Sequence, residues 1–197
     1  MKWTEERVQA LLAPQLLEGG HDCVVPNAMV FGYEADLVAV RGRSKQLLEF
    51  EIKVTRSDFR ADAKKTAKHE RMAEAAAKGY RRRGRRKKKG VAQRERVPHY
   101  FTYVAPIGVI PPSEVPDHAG LLVIDRSGKT RVAKDPPLLR SSGISDSMIR
   151  KLWRKVNYRM MEALFGSVGA TSSSGGRRRS KYRDRALAMR HRRSYTR

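Results

Sequence analysis

The chain has 197 residues, of which 40% are hydrophobic and 32% charged, enough for one domain of ordinary size with a core and some unpacked sequence. Lys and Arg outnumber Asp and Glu 43 to 20, a formal net charge of +23 that points to a polyanionic partner, nucleic acid before an anionic membrane surface. No apolar run approaches the roughly 20 residues a membrane-spanning helix needs, and the first residues lack the apolar stretch of a signal peptide. The lone Cys23 excludes an internal disulfide and suits a reducing cytoplasm, while Cys23 and the scattered His21, His69, His99, His118 and His191 lack the spacing of a structural zinc site.

In chain order, residues 4–18 read as a helix. Thr4 caps it, Glu5 and Glu6 suit its first turn, Val8, Leu11, Leu12 and Leu16 form an apolar stripe, and Pro14 threatens a break or kink. Residues 23–31 read as a strand interrupted near Pro26-Asn27. Strands over 34–40 and 46–54 follow, joined by the turn Arg41-Gly42-Arg43-Ser44-Lys45. The Ala-rich stretch from Asp58 to Lys78 predicts one continuous helix stopped by Gly79. A basic run without apolar periodicity, 80–96, comes next. Strands are then expected over 100–105 and 121–125, with a proline turn between them and a hairpin partner over 130–133. Residues 146–165 predict a last helix with Ile149, Leu152, Trp153, Val156, Met160 and Leu164 on one face and Gly166 at its end. The domain expected is 1–166; 167–197 reads as a Ser/Gly linker and a basic disordered tail.

The chemistry concentrates in Glu34-Ala35-Asp36 and Glu49-Phe50-Glu51-Ile52-Lys53-Val54. In a strand, Leu48, Phe50, Ile52 and Val54 face the core while Glu49, Glu51 and Lys53 share the other side. A tight hairpin sets Asp36 beside Glu51, and Glu34, two residues earlier, points to the same side as Asp36. Two carboxylates and a lysine at one sheet edge suit a hard cation: Mg²⁺ takes one or two protein carboxylates and keeps several waters. Asp36 and Glu51 are the ligands expected, with the Ile52 carbonyl third, and Lys53 the group that orients water or meets charge on a phosphate. The plain alternative is an amphipathic edge strand with solvated or cross-paired charges.

The segments EADLVAV, LLEFEIKVTRSDFRAD and HYFTYVAPIGVIPPSEVPDHAGLLVID resemble the MmcB-like DNA-repair and phage proteins of the PD-(D/E)xK nuclease superfamily, over roughly residues 28–133. Asp36 and Glu51-Ile52-Lys53 match the signature, with Glu-Ala in place of its proline. The resemblance implies a restriction-endonuclease-like α/β fold, a mixed sheet flanked by helices. It also implies Mg²⁺ or Mn²⁺ as cofactor and DNA as the partner, with phosphodiester hydrolysis as the reaction. It maps the catalytic roles onto Asp36, Glu51 and Lys53, and a glutamate of the first helix (Glu5, Glu6 or Glu18) joins such sites in many members. Glu34 departs from the group's pattern, and its roles are a further metal ligand or a salt-bridge partner. Ser57 or Asp58 reads as an N-cap and Asp62 as a residue favoured by the helix dipole. Of Lys64, Lys65 and Lys68, Lys65 is the one expected to assist at the phosphate.

The run Arg81, Arg82, Arg83, Arg85, Arg86, Lys87, Lys88 and Lys89, and the tail from Arg177, Arg178 and Arg179 onward, are expected to bind DNA phosphates without reading sequence. The competing readings are a non-catalytic nucleic-acid-binding protein that keeps the fold, and a DNA-condensing protein indifferent to Mg²⁺. Homodimerisation is left open.

Overall fold

The structure, a computed structural model, describes residues 2–62, 64–77 and 96–166. The basic run at 81–89 and the tail beyond 166, both expected to bind DNA, lie outside the described residues. One compact unit is Met1–Met161, and Glu162–Arg197 form a second, of which the described part is the end of the last helix.

Helix α1 (Glu5–Glu18) is capped by Thr4, whose Oγ1 accepts the Arg7 N–H at 3.2 Å. Pro14 does not break it. Next to the backbone bond that Pro14 cannot make, the Gln15 side chain donates to the Leu11 carbonyl at 2.7 Å and also to Gly128 O at 2.9 Å, tying this turn to the sheet's far hairpin.

Six strands follow: β1 (Cys23–Val30), β2 (Tyr33–Arg41), β3 (Gln46–Ile52), β4 (Tyr100–Pro106), β5 (Gly120–Ile124) and β6 (Thr130–Lys134). They lie side by side in sequence order. β1, β2 and β3 pair antiparallel, β3–β4 and β4–β5 pair parallel, and β5–β6 antiparallel, so the fold is a mixed α/β sheet with helices. A parallel pair needs a long crossover. Between β3 and β4 that crossover carries α2 (Arg56–Asp62) and α3 (Thr66–Ala77); between β4 and β5 it holds only the short 3₁₀ turn Pro112–Glu114.

Both faces of the sheet are covered. On one, Val8 and Leu12 of α1 pack with Leu37, Ala39, Phe50, Ile52 and Val104. Elsewhere Phe59 of α2 and Met72 of α3 pack with Phe101, Tyr103, Ala105, Leu121 and Val123. A third cluster joins Val25, Ala28, Val38, Val40 and Leu47 to Leu152 of α4 (Asp146–Phe165). Because the sheet has no bare face, the polar side of β3 is buried too: Glu49 is 0%, Glu51 2% and Lys53 5% exposed.

Three sequence expectations about the helices need correction. α2 starts at Arg56, ahead of the expected caps Ser57 and Asp58, and Thr55 Oγ1 accepts the Asp58 N–H at 3.2 Å. The single helix over 58–78 is two, broken between Asp62 and Thr66, where Lys65 N–H turns back to the Asp62 carbonyl at 2.9 Å. The break lets the Asp62 carboxylate turn into the protein interior. On α4 the seated residues are Met148, Ile149, Leu152 and Val156, while Trp153 and Met160 stay exposed. The roll of the helix follows from Lys151, Lys155 and Arg159, spaced one turn apart, which donate to the carbonyls of Met29, Asn27 and Pro26 on edge strand β1. Cations on its carbonyls blunt that edge against pairing with another chain.

Candidate active site

The alternation of β2 breaks at Asp36. Val38 and Val40 belong to one core cluster and Leu37 and Ala39 to another, yet Ala35 returns to the cluster of Val38. Asn27, across on β1, has φ +47°, in the left-handed region that asparagine tolerates better than most residues. The Gln9 side-chain amide of α1 bridges this spot, 2.7 Å from Asn27 Oδ1, 2.8 Å from Asp36 O and 3.1 Å from Glu5 Oε1. The register Leu37↔Phe50, continued by one residue, sets Asp36 opposite Glu51. Its Oδ2 accepts the Ile52 N–H at 2.7 Å. Burial, and then the negative charge of Glu51, push the Asp36 carboxyl up to about 7 against the bond from Ile52.

Glu51 has the opposite surroundings. Lys53 Nζ lies 2.9 Å and Lys65 Nζ 3.3 Å from its Oε1, and Lys68 Nζ lies 2.7 Å from Oε2. Lys68 also sits 2.9 Å from Glu49 Oε1, an ion pair without hydrogen-bond geometry, and 4.7 Å from the ring centres of both Tyr33 and Phe101. Tyr33 OH donates to Glu49 Oε2 at 2.8 Å. Burial pushes the Glu49 carboxyl up, and Lys68 counters only part of that. Burial would by itself lower Lys68 and Lys53; the carboxylates around each reverse this and hold both above the usual lysine value.

Asp62 extends the network. Its Oδ1 is 2.7 Å from Lys65 Nζ and 3.7 Å from Lys53 Nζ; its Oδ2 meets His69 Nε2 at 3.0 Å and the Tyr103 hydroxyl at 2.9 Å. Burial opposes ionisation here, yet hydrogen bonds from His69 and Tyr103 and the ammonium groups of Lys65 and Lys53 hold Asp62 well below the usual carboxylate range. His69 Nδ1 in turn lies 3.0 Å from His118 Nε2.

Asp36, Glu51, Lys53 and Lys65 therefore come together as the sequence reading expected. Glu34 does not: it is exposed, opposite Met29 in the β1–β2 register, and the cation that feels its charge is Lys155 of α4. The break in alternation at Asp36 is the reason, since spacing by two no longer keeps Glu34 on Asp36's side. Ile52 buries its side chain beside Phe50 and commits its N–H to Asp36, so a ligand from Ile52 has to be its carbonyl. Of the first-helix glutamates, Glu5 is the one whose carboxyl feels Lys53, Glu51 and Asp58. Sequence reasoning treated Asp62 as a dipole residue and passed over Glu49, His69 and Tyr103. The spacing of Asp62, Lys65 and His69 within the single helix expected over 58–78 was the available signal, though the structure sets them on either side of a break; His118, in the β4–β5 connection, had none.

Over 87% of this chain and all of the other, the fold is similar to the solved structure of SPO1766, a protein of unknown function from Silicibacter pomeroyi, with a TM-score of 0.58 and 16% sequence identity. No protein-family model matches the sequence, and no curated protein does.

Among the described residues no three His, Cys, Asp or Glu side chains form a metal-binding group. The two carboxylates Asp36 and Glu51 nonetheless fit a hard cation that takes one or two protein carboxylates and completes its shell with water. Asp36 takes the Ile52 N–H on its Oδ2 and forms no ion pair with a described residue, which supports that fit. For such an ion to use Glu51 Oε1, Lys65 is the group able to yield, since its side chain is 57% exposed whereas Lys53 and Lys68 are buried.

Proposed function

We propose that this chain is a divalent-metal-dependent endodeoxyribonuclease of PD-(D/E)xK type, with a restriction-endonuclease-like, MmcB-like fold, working in DNA repair, recombination or phage DNA metabolism. The observation that carries the reading is the contact of Asp36 Oδ2 with the Ile52 N–H, between Glu51 and Lys53, because it joins the three signature residues at one point. The +23 net charge supports a polyanionic substrate.

Asp36 and Glu51 would hold Mg²⁺ or Mn²⁺, with the Ile52 carbonyl as a third oxygen. The ion, when bound, lowers the pKa of a coordinated water and polarises the phosphodiester. Lys53, desolvated and fixed on Glu51, donates to the phosphate oxygen on which charge grows; a donor held in place beforehand needs no reorganisation at the moment of reaction. Lys65, at the exposed rim, neutralises the neighbouring phosphate. The basic segments 81–89 and 177–179 add affinity for any sequence.

The test incubates the protein with labelled single-stranded, duplex, flap and gapped DNA, in Mg²⁺, Mn²⁺ or EDTA. Cleavage of at least one substrate with metal and of none in EDTA is expected, and Lys53→Ala is expected to slow it roughly a hundredfold or more. Retention of DNA without cleavage in any metal would instead favour a non-catalytic binding protein.

A further inference from the structure

On the face of the sheet covered by α2 and α3 lies a cavity of about 320 Å³, at the small end of the range of ligand sites. Its walls are four rings. Phe59 and Tyr103 meet edge to face at 5.0 Å, and His69 and His118 lie 5.2 Å apart. Pro116 completes the apolar lining, with Arg60 and Glu114 as the polar members. Arg60 is exposed and forms no ion pair with a described residue, whereas Glu114 is held by Arg56.

The cavity shares a wall with the candidate centre. His69 and Tyr103 line it and both bond Asp62, which contacts Lys53 and Lys65, which contact Glu51. Its chemistry is unlike that of the centre. Burial, with His69 and Lys134 nearby, holds His118 down to about 4, so its ring is uncharged at neutral pH. The Asp62 carboxylate accepts from His69 Nε2–H, leaving His69 Nδ1 toward His118. Phe59, Tyr103, the uncharged His118 ring and a proline give an anion little to bind, but offer faces and edges on which a flat heteroaromatic group can stack. Arg60, the cation among the lining residues, forms no ion pair with a described residue and is available to a phosphate attached to that group.

We propose that this cavity seats one unpaired nucleobase of the DNA strand, next to the bond cut at the Asp36–Glu51–Lys53 centre. The inference rests on the nuclease reading and narrows it to substrates with a base that is single-stranded or turned out of the helix. A paired base cannot enter such a pocket without unstacking, and the cost is least for unpaired or damaged positions. Stacking tolerates any base.

The experiment compares oligothymidylate with an abasic deoxyribose-phosphate oligomer of equal length and charge, binding the full chain in EDTA, read by fluorescence anisotropy. Wild type is expected to bind oligothymidylate about tenfold more tightly, within the range for stacking one base. His118→Ala should lose most of that preference with unchanged affinity for the abasic oligomer, and His118→Phe, which keeps a ring, should retain it. Equal binding of the two oligomers by wild type, or a preference that survives His118→Ala, overturns the proposal. If neither variant folds, the wild-type imidazole C–H resonances of His69 and His118 are followed by NMR with thymidine monophosphate. Shifts at both support the pocket, and unmoved resonances sink it. Since no step needs metal, a base preference without Mg²⁺-dependent cleavage would remove the nuclease reading alone, and cleavage without the preference would remove the pocket alone.

Discussion

Replacing Asp36 with asparagine should make the metal-free protein more stable while destroying its activity. The Asp36 carboxyl titrates near 7 in the fold and near its ordinary 3.8 in the unfolded chain. Between these values the native state holds the extra proton, so rising pH favours the unfolded state, and the stability from this group is lost from about pH 4 to pH 7. At roughly 1.4 kcal/mol per pKa unit the ceiling is about 4 kcal/mol. Asp36 is only partly buried, and solvent screening brings the expected cost to about 2–3 kcal/mol. Asparagine keeps an oxygen for the Ile52 N–H and removes the charge. At pH 8 in EDTA, Asp36→Asn should melt higher by roughly 4–12 °C, at 2–4 °C per kcal/mol for a chain of this size. At pH 4 the two proteins should melt together. Metal closes the gap: at a hundred times its Kd a cation stabilises wild type by about 2.7 kcal/mol, which offsets the cost of the buried charge, and gives the variant little. Calorimetric melts from pH 4 to 8, with and without Mg²⁺, supply the comparison. A variant less stable than wild type at pH 8 in EDTA, or a difference independent of pH, refutes the reasoning.

Lys68→Met removes the ammonium that bridges Glu49 and Glu51 in the interior. A stability loss of about 3–5 kcal/mol in denaturant titration is expected, the usual cost of breaking a buried pair, and adding Glu49→Gln should restore part of it. Lys65→Met, at a half-exposed side chain, should change stability by less than about 1 kcal/mol. The same change should raise Mn²⁺ affinity several-fold by calorimetry, because Lys65 no longer competes for Glu51; unchanged affinity would count against the assigned cation seat. Replacing the basic residues of 81–89 by Gly and Ser should weaken binding to all duplex sequences alike. If the run covers four or so phosphates, the log K against log salt slope should become shallower by roughly 3 to 4 in anisotropy.

The centre could be read locally because its elements are local. Strand alternation marked Glu49, Glu51 and Lys53 as one face of β3, and a short hairpin left Asp36 little choice but to lie near Glu51. The same alternation misled at Glu34, because it assumes an unbroken pleat and β2 changes face at Asp36. It also gave no hint that the charged face of β3 would be buried. That depends on α3 folding back over the sheet, and the Ala-rich run from Asp58 to Lys78 reads equally well as one exposed helix. Whether a helix breaks at Asp62 is decided by what its carboxylate finds, and Tyr103 lies 41 residues further on. The His69–His118 contact, 49 residues apart, was out of reach of any pattern for the same reason.

The most direct test of the central claim is single-turnover cleavage by wild type and Glu51→Gln at equal DNA occupancy, in saturating Mg²⁺. Removing the ligand charge while keeping the side chain's shape should abolish cleavage and leave DNA affinity within about twofold, since phosphate contacts are made elsewhere. Glu51→Gln that cuts at the wild-type rate, or wild type that cuts equally well in EDTA, would contradict the account.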